Sequence, residues 1–272
     1  MNLFDTHCHI ADPAFDDDRA DVIARFRDAG VRRALVVADP CEEKPNQARV
    51  FALAEEYPFL YAAIGAHPHN ACRYSDDAEA AILHYLSHPK CRLLGEIGLD
   101  YHYDLSPREV QREVFREQLE LACSLNASLS LHVREAHDEA AQIMAEVGLP
   151  REGGAVLHCF DLGPEDAAPF LEMGCVLGIG GAVSFKRNEP TRDAVAALGR
   201  GQLVLETDAP YMAPEPLRGT QCEPAYIART AEFVADLRRE RCGDEPADTY
   251  RDAYELARRI FDRPAPLAGA RR

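Results

Sequence analysis

One feature of this chain constrains its fold more than any other: short apolar runs, each followed by an amphipathic stretch, recur eight times. A period that switches repeatedly from strand-like to helix-like predicts repeated strand–helix units. The predicted strands are Asn2 to Thr6, Ala34 to Ala38, Leu60 to Ile64, Arg92 to Glu96, Ser128 to Val133, Ala155 to His158, Cys175 to Ile179 and Leu203 to Thr207. The first helix is expected to start in the Asp16-Asp17-Asp18 cluster, where acids suit the positive end of the dipole, and to stop at Gly30. Its buried stripe is Val22, Phe26 and Ala29. The best-signalled helix has Ser106 as N-cap, Pro107 next and Glu109 closing a capping box, with Val110, Val114, Leu121 and Leu125 on one face. Later helices are predicted over Glu135 to Val147, Pro164 to Met173, Pro190 to Leu198, Pro224 to Arg239 and Asp248 to Phe261.

Eight such units in 272 residues predict an α/β fold, a single (β/α)8 TIM barrel spanning 1–272, with a doubly wound sheet as the alternative. No Pro-, Gly- or Ser-rich linker divides the chain, and no charge block forms a tail before Arg271-Arg272. The balance of 47% apolar and 28% charged residues is that of a globular protein, against collagen-like, disordered and coiled-coil classes. No apolar run reaches the ~20 residues that span a bilayer. Met1-Asn2-Leu3-Phe4-Asp5 has neither a basic nor an apolar leader region, so the expected location is cytoplasmic, with no membrane partner. Nine scattered cysteines without a C-x-x-C pair fit reduced thiols better than a disulfide framework. Thirty basic against 46 acidic residues give −16, which disfavours a non-specific grip on long duplex DNA but leaves room for a local positive site.

In a barrel, chemistry gathers at the C-terminal strand ends. His7 and His9 lie just past strand 1, and their spacing puts both imidazoles on one face of an extended segment. Glu96 ends strand 4, His132 lies near the end of strand 5, His158 ends strand 6, and Asp208 follows strand 8. Taken alone, each has a bland role: a hydrogen-bonded surface histidine, a turn cap at Glu96, a helix N-cap at Asp208. Four histidines and two carboxylates, all at the same end of predicted strands, point instead to metal ligation. Cys8 and Cys159 alternate away from the neighbouring histidines, toward packing. No G-x-G-x-x-G or G-x-x-x-x-G-K-[ST] loop is present, so nucleotide-cofactor chemistry is not indicated.

These residues sit in six blocks: Asp5-Thr6-His7-Cys8-His9, Ile64-Gly65-Ala66-His67-Pro68-His69, Gly95-Glu96-Ile97-Gly98-Leu99-Asp100-Tyr101, Leu131-His132-Val133-Arg134, Leu157-His158-Cys159-Phe160 and Glu206-Thr207-Asp208-Ala209-Pro210-Tyr211. Together they resemble the signature of the TatD family of metal-dependent deoxyribonucleases, from Phe4 to about Phe261. The resemblance implies an amidohydrolase-like barrel and a phosphodiesterase that removes nucleotides from DNA 3′ ends, preferring single strands. It maps His7, His9, Glu96, His132, His158 and Asp208 onto the family's metal ligands. The sequence departs from the family pattern at Cys222-Glu223-Pro224 and Leu256-Ala257-Arg258-Arg259, where members commonly carry Asn, and at Asp161-Leu162, usually Ser-Gly. None of these is a metal ligand, so the departures bear on substrate choice and subgroup.

Six nitrogen and oxygen ligands suit two divalent ions, with Mg²⁺, Mn²⁺ and Zn²⁺ all chemically reasonable. The expected arrangement places His7, His9 and Asp208 on one ion, His132 and His158 on the other, and Glu96 between both. Two such ions beside two carboxylates leave a local charge of about +2, which attracts a phosphodiester without a basic surface. Asp208 is the candidate general base, and Glu96 shares the catalytic role. His67 and Arg134 are candidate substrate-binding residues, with a capped turn and a salt bridge to Glu135 or Asp138 as the structural alternatives. Lys186, Arg187 and Arg218 are candidates to track a phosphate backbone. Tyr101, Tyr103 and Tyr211 are assigned to packing ahead of base stacking. The expected partner is DNA, with a monomeric protein. The competing functions are an ester or amide hydrolase built on the same barrel, and a nuclease subunit of a multi-protein defence complex.

Overall fold

The structure, a computed structural model, describes residues 1–267; the Arg271-Arg272 pair lies outside them. Eight parallel strands follow one another in chain order in the sheet, β1 (Leu3–Cys8), β2 (Val31–Ala38), β3 (Leu60–Ile64), β4 (Cys91–Asp100), β5 (Ser128–Arg134), β6 (Ala155–Leu157), β7 (Val176–Ile179) and β8 (Leu203–Leu205). Their near-continuous apolar runs are what parallel strands buried on both faces require. The described residues divide into two compact units, 1–36, 159–172 and 176–259 in the first, and 37–158, 173–175 and 260–267 in the second.

In the first unit, β1 pairs with β2 through Leu3 and Val31, Asp5 and Ala34, and Cys8 and Val36. Leu177, Gly178 and Ile179 of β7 pair with Leu203, Val204 and Leu205 of β8. The ends of β8 and β1 are tied by Asp208 N–H to His7 C=O at 3.0 Å and His9 N–H to Ala209 C=O at 2.8 Å. Helix α1 (Arg19–Asp28) buries Val22, Ile23 and Phe26, while Ala29 is only half-buried. It begins after the acidic cluster, and Gly30 follows it in the left-handed region at φ +91°. The fully buried Phe26 contributes about 1.5–3 kcal/mol by leaving water.

In the second unit, β3 to β6 are flanked by α2 (Gln47–Glu56), α3 (Asp76–Leu86), α4 (Arg108–Leu125) and α5 (His137–Val147). Here β4 runs on past Glu96 to Asp100, pairing Ile97, Gly98, Leu99 and Asp100 with Leu131, His132, Val133 and Arg134. Glu96 is therefore not the end of its strand. A register shift between Leu94 and Ile97 sets it out of the regular ladder. The Gly95–Glu96 peptide is cis. Gly98 is held at φ +150°, and a Cβ there would stand 1.9 Å from the His132 carbonyl oxygen, so no other residue lets β4 lie this close to β5.

Helix α4 differs from the expectation in two ways. Pro107 is its N-cap, because the Ser106 hydroxyl donates to His69 C=O at 2.9 Å and accepts from Cys72 N–H. Its buried face is Gln111, Val114, Phe115, Gln118, Leu119 and Ala122, with Val110, Leu121 and Leu125 at the margins. The first unit also carries α6 (Pro164–Glu172), α7 (Glu189–Ala197) and α8 (Ile227–Cys242), followed by α9 (Pro246–Phe261). No helix among the described residues is long and apolar enough to cross a membrane.

Candidate metal centre

In the first unit, His7 and His9 leave β1 with both imidazoles on one side, as alternation along an extended chain requires. Their Nε2 atoms lie 3.2 Å apart. Asp208, directly after β8 and at φ +59°, places its Oδ1 3.3 Å from His9 Nε2 and 4.0 Å from His7 Nε2. Beneath this group lies a buried polar layer. Asp5 Oδ1 accepts from the His7 and Thr207 N–H groups, and Oδ2 accepts from the Thr207 hydroxyl at 2.6 Å. Glu206 accepts from Cys159 N–H and from the Thr6 hydroxyl. Burial, aided by the Glu206 charge, pushes the Asp5 carboxyl up to about 8 against its three donors. Gly178 leaves the space this layer needs: a Cβ there would stand 2.4 Å from Glu206 Oε2.

In the second unit, Glu96 Oε1 lies 2.7 Å from His132 Nδ1 and 3.6 Å from both His158 Nε2 and His67 Nε2. The ligand atoms of Glu96, His132 and His158 all lie within 4.8 Å of one another, as do those of His67, His69 and His132. His132 turns its other nitrogen, Nε2, to Asp100 Oδ2 at 3.0 Å. Burial works against charging His132, but the hydrogen bonds it donates to Asp100 and Glu96 raise it to about 9. Burial instead dominates at His67 and lowers it to about 4. Its Nδ1 accepts from His69 N–H at 3.1 Å, so the neutral ring carries its proton on Nε2 and presents a donor. Despite burial, hydrogen bonds from His132 and His69 hold the Asp100 carboxyl well below the usual range.

The six predicted ligands thus form two groups, one in each unit: His7, His9 and Asp208, and Glu96, His132 and His158. Imidazole nitrogens beside a carboxylate oxygen are a donor set that fits a divalent ion of borderline or hard character. His67 joins the second group. Arg134 stacks over the Tyr103 ring at 4.9 Å, while Glu135, one of the two acids named as its alternative partners, pairs with His102 Nδ1 at 2.7 Å. Tyr103 and Tyr211 are more than half exposed, with Tyr103 edge-on to His69 and Tyr211 edge-on to His9. Tyr101 bonds to Glu139, and Arg218 lies over the Phe185 ring. Cys8 packs as expected, its thiol reaching Leu35 C=O.

Sequence reasoning missed Asp5, Asp39, Asp100, Gln118 and Glu206. Asp5 was findable, because it sits two residues before His7 on an otherwise apolar strand and so shares its face. Asp100 carried a weaker signal, as the second acid of a run in which Glu96 could serve as a turn cap.

Comparison with known proteins agrees with this geometry. Residues 4–262 match the family model described as TatD related DNase. The metal-dependent hydrolase YabD of Bacillus subtilis strain 168 is 37% identical over 95% of this chain and 98% of its own. A protein of Pantoea vagans strain C9-1 named 3′-5′ ssDNA/RNA exonuclease TatD is 34% identical over 95% of this chain and 96% of its own. The crystal structure of YjjV, a TatD homologue from Escherichia coli K12, has a TM-score of 0.87 at 34% identity, covering 96% of this chain and 98% of that one. The eight strands in chain order are thus those of a (β/α)8 TIM barrel. With its full-length match and clustered histidines and carboxylates, the chain belongs to the TatD related DNase family, as a metal-dependent hydrolase.

Proposed function

We propose that this protein is a deoxyribonuclease that removes nucleotides from the 3′ end of single-stranded DNA, using two divalent ions. The observation that carries this reading is that each of the two ligand groups joins a carboxylate to at least two histidines, in the C-terminal halves of parallel strands or directly after them. In this reading residues 1–272 act as one domain. His7, His9 and Asp208 would hold one ion, and Glu96, His132 and His158 the other. When bound, such ions would supply an activated water and offset charge on the attacking and leaving oxygens of a phosphodiester.

The protein's own groups do the rest. Asp208 is the proton acceptor: it stands just outside β8, fixed through its backbone N–H on His7 C=O, with a carboxylate oxygen at the mouth of its group. His67, neutral near pH 7, offers an Nε2–H to a phosphate oxygen without adding a competing cation. Arg134, exposed and stacked on Tyr103, offers its guanidinium to the chain of a bound strand. The named activity of the Pantoea relative supports a nucleic-acid substrate.

The test is a gel assay of metal-stripped protein on 5′-labelled single-stranded DNA, with Mg²⁺, Mn²⁺ or Zn²⁺ restored and His132→Ala alongside. A metal-dependent ladder shortening from the 3′ end, absent in the variant, is expected. Absence of cleavage with every metal, on DNA and on RNA of the same sequence, sinks the reading and turns the search to carboxylic ester and amide substrates.

A further inference from the structure

Asp100 is fully buried, and every atom of its carboxylate is committed. Oδ1 accepts from the backbone N–H groups of His102 at 3.0 Å and Tyr103 at 2.8 Å. Oδ2 receives two imidazoles, His69 Nε2 at 2.8 Å and His132 Nε2 at 3.0 Å. Its own backbone is clamped by Gln111, whose side chain accepts from Asp100 N–H at 2.8 Å and donates to Asp100 C=O at 3.1 Å. Few carboxylates are held from so many directions. This one stands at the end of β4, four residues beyond Glu96.

A carboxylate can only accept, so both Nε2 atoms that meet Oδ2 must donate. That keeps a proton on Nε2 of each ring. With Nε2 committed to Asp100, the nitrogen of His132 that an ion beside Glu96 would take, in exchange for its proton, is Nδ1, which faces Glu96 Oε1 at 2.7 Å. The same oxygen orients His69, whose backbone N–H in turn donates to His67 Nδ1 and leaves His67 with its proton on Nε2. One buried carboxylate therefore sets the hydrogen-bonding sense of two histidines, His69 and His132.

We propose that Asp100 is the positioning residue of the Glu96 group: it locks His132 with Nε2–H so that Nδ1 is its metal-binding nitrogen. The proposal rests on the reading that Glu96, His132 and His158 hold an ion. Outer carboxylates that orient a histidine ligand in this way typically change metal affinity roughly 10–100-fold when removed.

Two measurements test it. The first needs no variant: long-range ¹H–¹⁵N spectra of ¹⁵N-histidine protein, apo and titrated with Zn²⁺, with His132 identified by its absence in His132→Ala. The expected result is that His132 Nδ1 moves to the metal-bound position while Nε2 keeps its proton. A metal-bound Nε2 overturns the proposal. The second is Zn²⁺ affinity by chelator competition for Asp100→Asn, expected to fall roughly 10–100-fold. An unchanged affinity overturns the proposal. So does a third equivalent of zinc in the wild type that disappears in Asp100→Asn, because Asp100 would then be a ligand itself. Glu96→Gln and His158→Ala separate the two levels: if neither weakens zinc binding, it is the reading of the Glu96 group that fails. If Asp100→Asn does not fold, the tautomer measurement alone decides.

Discussion

His9 Nε2 lies 3.3 Å from Asp208 Oδ1, although 199 residues separate the two along the chain. What joins them is the pairing at the ends of β8 and β1, where Asp208 N–H bonds to His7 C=O and His9 N–H to Ala209 C=O. Backbone hydrogen bonds thus fix both members of the group before any ion arrives. His9→Ala leaves this backbone in place and removes one donor. We expect it to bind one equivalent of divalent metal fewer than the wild type at equal metal activity, with thermal stability of the apo protein little changed. Mass-spectrometric metal counting after dialysis checks this, and an unaltered count removes His9 from the ligand set.

Asp208→Asn separates binding from proton transfer. The amide oxygen remains a weak ligand but is no longer a base. Occupancy should stay near the wild-type level while kcat on single-stranded DNA falls about 10²–10⁴-fold, the usual worth of a positioned base. A variant that keeps most of its turnover would take Asp208 out of the mechanism.

Gly178 is where β7 makes room for the buried Glu206 carboxylate. Gly178→Ala brings a Cβ to 2.4 Å from Glu206 Oε2, and Glu206 is held by Cys159 and Thr6 and cannot swing into solvent. The expected cost is about 1–3 kcal/mol by urea denaturation, the range for overpacking a filled site. A neutral substitution would show that the layer beneath His7 and Asp208 is loose.

Much of the fold was legible because parallel strands announce themselves as apolar runs: Leu60–Ile64 is a strand over the same residues that the pattern gives. The ligand histidines were legible for the same reason, as polar residues at the ends of such runs. What stayed hidden follows from residues whose partners are distant backbone. Gly95 and Gly98 read as a turn, yet they allow β4 to continue against β5, where a Cβ at Gly98 would strike the His132 carbonyl. Gln111 and Gln118 lie outside the predicted apolar face of Val110, Val114, Leu121 and Leu125, yet both are fully buried because each amide satisfies main-chain groups of another segment. Ser106 reads as a cap but spends its hydroxyl on His69 and Cys72. Periodicity sees only the hydrophobicity of a side chain, so it misplaces polar residues that are buried by hydrogen bonding.

Asp39 gives the stability a pH dependence. Burial, aided by Glu42, raises its carboxyl to about 7 against hydrogen bonds from Asn70 at 2.8 Å and Cys41 N–H at 2.7 Å. The unfolded chain releases this proton near 4, so from there to about 7 the folded state binds more protons. Stability from this group is therefore full at the acid end and is lost as pH rises, by up to about 1.4 kcal/mol per pH unit. Urea denaturation at pH 5 and pH 7.5 should give a steeper loss for the wild type than for Asp39→Asn. Equal slopes would show that Asp39 is ionised in the folded protein well below pH 7.

Gln118 supports a prediction in which one variant responds to pH and the other does not. Its Oε1 accepts from Ala66 N–H at 2.7 Å and its Nε2 donates to Ala66 C=O at 3.1 Å, which fixes the residue before His67 from the middle of α4. Gln118→Leu fills the same volume but strands two buried main-chain groups, each costing about 1–3 kcal/mol. Gln118→Glu keeps the acceptor and, when ionised, turns a second oxygen toward the Ala66 carbonyl; when protonated it can donate there as the amide does. Its folded pKa must then rise above the unfolded value of about 4.3, so its stability is greatest at low pH and declines as pH rises through the raised value. Gln118→Leu has no such group, and its deficit against the wild type should be the same at pH 4.5 and pH 8. Denaturation curves of the three proteins at both values check this: a deficit for Gln118→Glu that does not grow between them would mean that the Ala66 clamp does not depend on a donor at this position.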